Sequence, residues 1–350
     1  MFTKQKIKKL IIILSCMIIF SLSLVFYNNI NSKIINIFAD RFNIVSNKEN
    51  MLVHFINVHQ ADAVAINLPD GKIMLIDSGS KDVNTTYINY LKENVLNTRR
   101  SDYIDYLVLS HSDMDHVGGT MKLLKNFQIG TIYMPKLPSN SNGYAEILNY
   151  VDKYQKYETL GLEFKIADNG YEFTFFESLN ETNTNDSSQI VKLEYKDKSF
   201  LFSGDISSSV EQQYVEVYGE ELNVDVLKVS HHGSKTATSA EFLEYVSPEY
   251  AVISVGAGND YGHPTDEVLN RLNVVGAKIL RTDCDGNVLF VVGENYNLKQ
   301  LDGVYHIIGL PLDYSYYIFC IDLIFIVYAV IVVVKKKKKK NKHITKELLV

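Results

Sequence analysis

Ser110–His111–Ser112–Asp113–Met114–Asp115–His116–Val117–Gly118–Gly119 is the stretch on which the fold turns. A short apolar run, 104–109, leads into it and reads as a strand; 119–127 leads out of it and reads as a helix. Four groups able to bind a metal, His111, Asp113, Asp115 and His116, fall in this one strand-to-helix loop. Residues 111 and 113 can turn to one ion, and the adjacent pair 115 and 116 to another. Imidazole nitrogen with carboxylate oxygen suits Zn²⁺, Mn²⁺ or Fe²⁺. A helix cap needs one such acid, so capping alone leaves the other ligand types unexplained. The paired glycines let the next helix pack closely below the loop.

Three later segments are placed to complete a site. Ser203–Gly204–Asp205 sets a carboxylate just past a predicted strand, where it would bridge two ions. Ser230–His231–His232–Gly233–Ser234 sets two histidines past another strand. Gly262–His263–Pro264 puts His263 in a loop before a predicted helix, as a substrate contact or as a turn residue. His54, His59, His306 and His343 have no partners in sequence and read as structural or exposed.

Outward from these loops, hydrophobic patterning predicts strands at 51–58, 63–68, 72–76, 131–134, 190–195, 199–203, 224–229, 250–255, 278–281 and 288–292. Helices are predicted at 83–97, 144–160, 207–218, 240–245 and 265–274. Two comparable halves of mixed strands and helices point to a layered α/β sandwich. Chemistry in such folds gathers at strand ends and the loops after them.

The ordered set of motifs resembles the metallo-β-lactamase superfamily, and within it the extracytoplasmic hydrolase domain of ComEC-type competence proteins. The set comprises Asn57–Val58–His59–Gln60–Ala61–Asp62–Ala63, Leu75–Ile76–Asp77–Ser78–Gly79, the Ser110 loop, Asn185–Asp186–Ser187–Ser188 and Phe202–Ser203–Gly204–Asp205. It continues with Leu227 to Ser234, Tyr261 to Pro264, and Arg281–Thr282–Asp283 with Asp285–Gly286, and so covers residues 51–293. The resemblance implies a four-layer αββα sandwich with a metal site between its sheets, and a metal-dependent hydrolase. By it, His111, Asp115, His116, Asp205 and His231 match ligand positions. Asp113 stands where the wider superfamily has a second histidine and the ComEC-type branch has aspartate. The third histidine of the first metal position is missing, and Asn185–Asp186 occupy that region, which argues against a β-lactamase proper. The implied cofactor is one or two divalent metal ions, Zn or Mn.

Composition fits a globular chain of 350 residues, 46% hydrophobic and 22% charged. Cys16 and Cys320 lie in apolar terminal runs and Cys284 stands alone, which excludes a disulfide framework or a Cys-rich zinc module. Residues 7–27 are apolar after Lys4, Lys6, Lys8 and Lys9, long enough to span a bilayer. A cleaved signal peptide, or a lipoprotein site at Cys16, is the competing reading. A second apolar run, 314–334, opens with an aromatic belt of Tyr314, Tyr316 and Tyr317 and ends in six lysines. Asp322 inside it costs up to about 3 kcal/mol. It reads either as a contact to a membrane partner or as a hydrated, shallow carboxylate. Lysines beyond both runs predict a cell-membrane protein with both termini cytoplasmic and the domain outside. The expected organisation is 1–30 basic start and anchor, 31–50 linker, 51–300 hydrolase domain, 301–313 linker, 314–334 transmembrane helix and 335–350 lysine-rich tail. Competence proteins of this type carry many membrane helices; two spans do not make a channel, so DNA uptake itself is not implied.

With the twelve lysines of the two tails and Glu347 set aside, 23 basic and 40 acidic residues remain, a balance of −17. That excludes a broad basic nucleic-acid footprint. The expected function is a membrane-anchored phosphodiesterase or nuclease acting on single-stranded DNA or another phosphodiester. Asp115 would orient the nucleophile, and His263 or the Ser234 hydroxyl would contact a phosphate or leaving group. Two other classes stay open: a metallohydrolase on an ester, lactone or amide, and a non-enzymatic envelope binding protein.

Overall fold

The computed structural model describes residues 49–83, 85–96, 102–154, 156–293 and 296–301, all within one compact unit, Asn43–His306. Both expected transmembrane segments, Asp322 and the two lysine clusters lie outside the described residues. No helix among the described residues is long and apolar enough to cross a membrane.

The strands are β1 Met51–Phe55, β2 Val64–Asn67, β3 Ile73–Ile76, β4 Tyr103–Val108, β5 Gln128–Met134, β6 Tyr157–Thr159, β7 Phe164–Asp168 and β8 Tyr171–Phe175. They continue with β9 Val191–Tyr195, β10 Lys198–Phe202, β11 Val226–Lys228, β12 Tyr250–Ile253, β13 Lys278–Arg281, β14 Val288–Gly293 and β15 Tyr296–Leu301. Among the described residues they form two sheets, ordered β15-β14-β1-β2-β3-β4-β5-β6 and β13-β12-β11-β10-β9-β8-β7. Each sheet is mixed. In the first, β3 to β6 run parallel and the pairs on the β1 side are antiparallel. In the second, β10 to β13 run parallel and β7 to β10 antiparallel.

Three apolar cores separate the layers. The central one joins residues of both sheets, including Phe55, Ile66 and Phe290 with Phe173, Phe200 and Phe202. A second packs Leu75, Leu107 and Ile132 of the first sheet under helical Leu91, Leu123 and Val151. A third packs Leu201, Leu227 and Ile253 of the second sheet under Val210, Phe242 and Leu272. The order is therefore helix, sheet, sheet, helix. Central strands covered on both faces explain why β1, β2, β3 and β11 are apolar runs rather than alternating ones.

Two differences from the patterning have physical causes. The helix expected over 144–160 stops at Tyr154, in Asn142–Tyr154, and Tyr157–Thr159 becomes an edge strand on β5. Three residues are too few to show a period of two. The β7–β8 hairpin was not expected, because β7 is largely exposed and reads as polar. Its turn, Asn169–Gly170, carries positive φ at both residues (42° and 81°), as a tight hairpin turn requires.

Register brings the chemistry to one end of the sandwich. Val64 pairs with Ile76, and Ile76 with Val108, so Asp62, Asp77 and the Ser110 loop emerge together. Phe202 pairs with Lys228, so Asp205 and the 230–234 loop emerge together from the second sheet.

Candidate metal centre

Asp62, His116, Asp205 and His232 each offer one ligand atom, and these atoms lie within 4.8 Å of one another. All four side chains are buried. Asp62 and His116 come from the first sheet and Asp205 and His232 from the second.

The hydrogen bonds of three histidines fix which nitrogen is free. Asp77 Oδ2 lies 2.7 Å from His116 Nδ1. An ionised carboxylate only accepts, so Nδ1 carries the hydrogen and Nε2 faces the cluster. The Ser254 carbonyl lies 2.8 Å from His232 Nδ1, so Nδ1 donates there and Nε2 faces Asp115 Oδ2 at 3.3 Å. Ser110 Oγ donates to Asp77 Oδ2 at 2.8 Å, which uses its one hydrogen. His111 Nδ1, 3.2 Å from that oxygen, must then donate to it, leaving His111 Nε2 bare. Asp62 Oδ2 pairs with the Lys228 ammonium and His116 Nε2 lies 3.3 Å from Asp205 Oδ1, while His111 Nε2 and Asp62 Oδ1 are buried without a hydrogen-bond partner. Buried polar atoms are rarely left so. Nitrogen and oxygen ligand atoms held inward, with a carboxylate, carbonyl or hydroxyl oxygen behind each imidazole, are what a divalent ion of the zinc or manganese kind requires.

Without an ion, the surplus of carboxylates favours protons on two of these histidines, which a metal would displace on binding. Burial disfavours a charged His116, but Asp205 and Asp77 outweigh it and hold its pKa well above the usual imidazole range. Burial likewise works against ionised Asp205, yet His116, His232 and Lys228 hold it well below the usual carboxylate range. His232 is raised despite burial, chiefly by Asp205 and Asp62. His111, by contrast, is pushed down to about 3 by burial and by neighbouring His116, and so stays neutral. The Lys228 ammonium is buried against Asp62 Oδ2, lies 3.6 Å from Asp205 Oδ1 and donates to the Gly204 carbonyl at 3.2 Å.

The loop backbone is shaped for this arrangement. Asp77, His231 and His232 all hold positive φ (60°, 48° and 53°), a conformation unfavourable for such residues and concentrated at functional sites. Gly119 has no room for a side chain: a Cβ there would stand 2.0 Å from the Ser78 carbonyl oxygen. Gly204, with φ of 55°, lets the chain turn inward to present Asp205.

Of the residues expected from sequence, the structure places His116 and Asp205 in the cluster. His111 lies beside His116, ring centroids 4.0 Å apart and planes tilted by 51°. Asp115 lies at the rim, with Oδ2 3.3 Å from His232 Nε2 and its side chain 37% exposed. His116 and His232 keep Asp115 ionised in spite of burial. Asp113 is half-buried at the start of helix Met114–Val117 and is outside the cluster. His231 is also outside it; its Nε2 is 3.9 Å from Asp205 Oδ2 and its side chain is 29% exposed. His232 is the buried one of the pair, with Nε2 3.6 Å from Asp205 Oδ2 against 3.9 Å for His231, and both residues sit in left-handed backbone. Ser234 Oγ bonds Thr236 Oγ1 at 3.0 Å. His263 stands next to His231, with centroids 5.8 Å apart, and burial and nearby histidines lower its pKa. Asp62, Asp77, Lys228 and His232 were not singled out as site residues. Lys228 carried a signal, a lysine inside the apolar run Val226–Lys228 with Val229 after it, which implies buried acids opposite.

A buried cluster of imidazoles and carboxylates at the strand ends of an αββα sandwich defines a metal-binding α/β protein. The chain belongs to the metallo-beta-lactamase superfamily, whose family profile matches residues 56–257. Its relatives include Competence protein ComA of Neisseria gonorrhoeae, 36% identical over 192 residues, covering 54% of this chain and 26% of that protein. ComE operon protein 3 of Bacillus subtilis is 27% identical over 257 residues, covering 68% of this chain and 32% of its own. The chain thus spans about a third or less of the length of these relatives. Among solved structures, the metallo-beta-lactamase fold protein YhfI from Bacillus subtilis covers 67% of this chain and 96% of its own, at 11% identity and a TM-score of 0.44.

Proposed function

We propose that the chain is a membrane-anchored metal-dependent phosphodiesterase acting on DNA outside the cell, with zinc or manganese as its ion. The observation that carries the metal is the set of three histidines pinned at Nδ1, with His111 Nε2 unpartnered, His116 Nε2 3.3 Å from Asp205 Oδ1 and His232 Nε2 3.3 Å from Asp115 Oδ2. His116, His232, Asp205 and Asp62 would hold one ion, and His111, whose Nε2 is buried without a partner, would be available to a second. A bound ion supplies positive charge for a phosphate oxygen and acidifies water. The chain's residues do the rest. Asp115, ionised and part-exposed at the rim, would orient the attacking water as a hydrogen-bond acceptor. His263, neutral at the rim, faces the leaving-group side. Lys228 keeps Asp62 and Asp205 from repelling each other. The DNA reading draws on relatives named for competence, and the membrane reading on the apolar runs 7–27 and 314–334.

A second reading, hydrolysis of a non-nucleic-acid ester, lactone or amide, is favoured by the −17 balance outside the lysine tails, which weakens attraction to polyanions. One experiment separates them. Bound metal and cleavage of single-stranded DNA are measured with Zn²⁺, Mn²⁺ or Mg²⁺, beside an Asp115→Ala/His116→Ala double variant. Metal-dependent cleavage, lost in the variant, is expected. Bound metal without DNA cleavage moves the substrate to another ester, and neither metal nor cleavage overturns the enzymatic reading.

A further inference from the structure

Tyr261, His263 and His231 form a file of rings running from the surface to the metal cluster. Tyr261 stacks on His263 with centroids 5.7 Å apart and planes 25° off parallel. His263 meets His231 edge-on at 5.8 Å. His231 Nε2 is 3.9 Å from Asp205 Oδ2. The outer end is open, since Tyr261 is 71% exposed. A single exposed aromatic is ordinary. This one is held in place. Asn259 Oδ1 accepts from the backbone N–H groups of Tyr261 (3.1 Å) and His263 (3.0 Å), and Asn259 Nδ2 donates to the carbonyls of His263 (2.6 Å) and Gly256 (3.0 Å). The loop presents a fixed flat ring on one side of the site.

We propose that this file is a stacking platform for the unpaired bases of a single-stranded nucleic-acid substrate, with Tyr261 as the outermost step. The inference rests on the phosphodiesterase reading and assigns Tyr261 a binding role beside that site. The spacing suits it. From the cluster, where the scissile phosphate would lie, the exposed Tyr261 face stands beyond His231 and His263, in the position of a base further along the strand rather than the one adjoining that phosphate. A paired base has both faces covered by its neighbours, so a duplex gains nothing here. Outside the lysine tails the balance is −17, so grip on the strand cannot come from many lysines along its backbone. Stacking on an aromatic ring contributes roughly 1–3 kcal/mol per base with little dependence on sequence.

The test uses the full chain in detergent with Mn²⁺, a 2-aminopurine-labelled single-stranded oligonucleotide, and a strand of equal length whose bases are replaced by tetrahydrofuran spacers. Binding and cleavage are read separately. The base-bearing strand should bind about tenfold more tightly than the abasic one, a ratio that follows from stacking of this size. The 2-aminopurine fluorescence should be quenched. Both effects should vanish in Tyr261→Ala and persist in Tyr261→Phe, and salt should change the ratio little. Equal binding of the two strands by the wild-type chain, or a preference unmoved in Tyr261→Ala, overturns the platform even if both strands are cleaved. Preference and quenching without cleavage leave the platform standing and overturn the phosphodiesterase. Binding of neither strand overturns both.

Discussion

His116 donates from Nδ1 to Asp77 Oδ2 across 2.7 Å, and Asp77 has no room to do anything else. Its Oδ1 accepts from the Ser110 backbone N–H at 2.7 Å and its Oδ2 also takes the Ser110 hydroxyl at 2.8 Å. Asp77 is therefore the residue that aims His116, and indirectly His111, at the ion. Asp77→Asn tests this cleanly, because asparagine tolerates the left-handed backbone that Asp77 adopts. One amide hydrogen would face a donor, and the imidazole tautomer would no longer be fixed. Metal affinity, measured by titration calorimetry with Zn²⁺ or Mn²⁺, should fall about 10- to 100-fold with the fold retained. Unchanged affinity would mean that the carboxylate serves only the loop.

His231 and His232 are adjacent but unequal. His232 is buried, with Nδ1 bonded to the Ser254 carbonyl and Nε2 3.6 Å from Asp205 Oδ2. His231 is at the rim and bonds nothing through its ring in that way. His232→Ala should cost at least about 100-fold in metal affinity, on the scale of removing one direct ligand rather than a supporting group. His231→Ala should change it by no more than a few-fold. Metal content after dialysis decides the matter, and loss of metal from His231→Ala alone would reverse the assignment.

How much of this was readable beforehand follows from the residues themselves. The Ser110 loop was legible because its four ligand-type side chains crowd one strand-to-helix junction, and strands such as β1 and β14 announce themselves as apolar runs. The choice between His231 and His232 was not legible. It depends on which of the two adjacent rings is buried, which nothing in the run Ser230–Ser234 states. Asp62 belonged to a quoted motif, yet its place in the site depends on β2 lying antiparallel to β3, a fact of topology rather than of local pattern. Lys228 could have been found by asking why a lysine stands in a buried strand.

That lysine carries a prediction of its own. Its ammonium lies between two buried carboxylates, Asp62 and Asp205. Replacing it by a neutral side chain of similar length leaves buried charge uncompensated, at a cost of about 3–5 kcal/mol. For a domain of this size Lys228→Met should lower the Tm by roughly 6–20 °C without metal. Added Mn²⁺ brings positive charge to the same carboxylates, so the deficit should shrink in saturating metal. Thermal melts with and without Mn²⁺ measure both. A deficit that metal leaves untouched would show that Lys228 acts through packing alone.

His54 makes the domain sensitive to acid at a distance from the metal cluster. It is buried in β1, with Nε2 donating to Asn67 Oδ1 at 3.1 Å and Nδ1 accepting from the Tyr90 hydroxyl at 2.9 Å. Burial pushes its pKa down from 6.5 to about 4. The native state therefore keeps it neutral, while the unfolded chain protonates it below about 6.5. Its contribution is complete above that pH and is lost as pH falls from about 6.5 to about 4. The loss amounts to about 3 kcal/mol. The raised histidines of the cluster, His116 and His232, work in the opposite sense, since their stabilisation is complete at low pH and fades as pH rises. Comparing wild type with His54→Gln at each pH cancels that shared part. Urea unfolding at pH 7.5, 6, 5 and 4 should show the wild type losing about 3 kcal/mol more than the variant over this range. Parallel losses in the two proteins would place the acid sensitivity elsewhere.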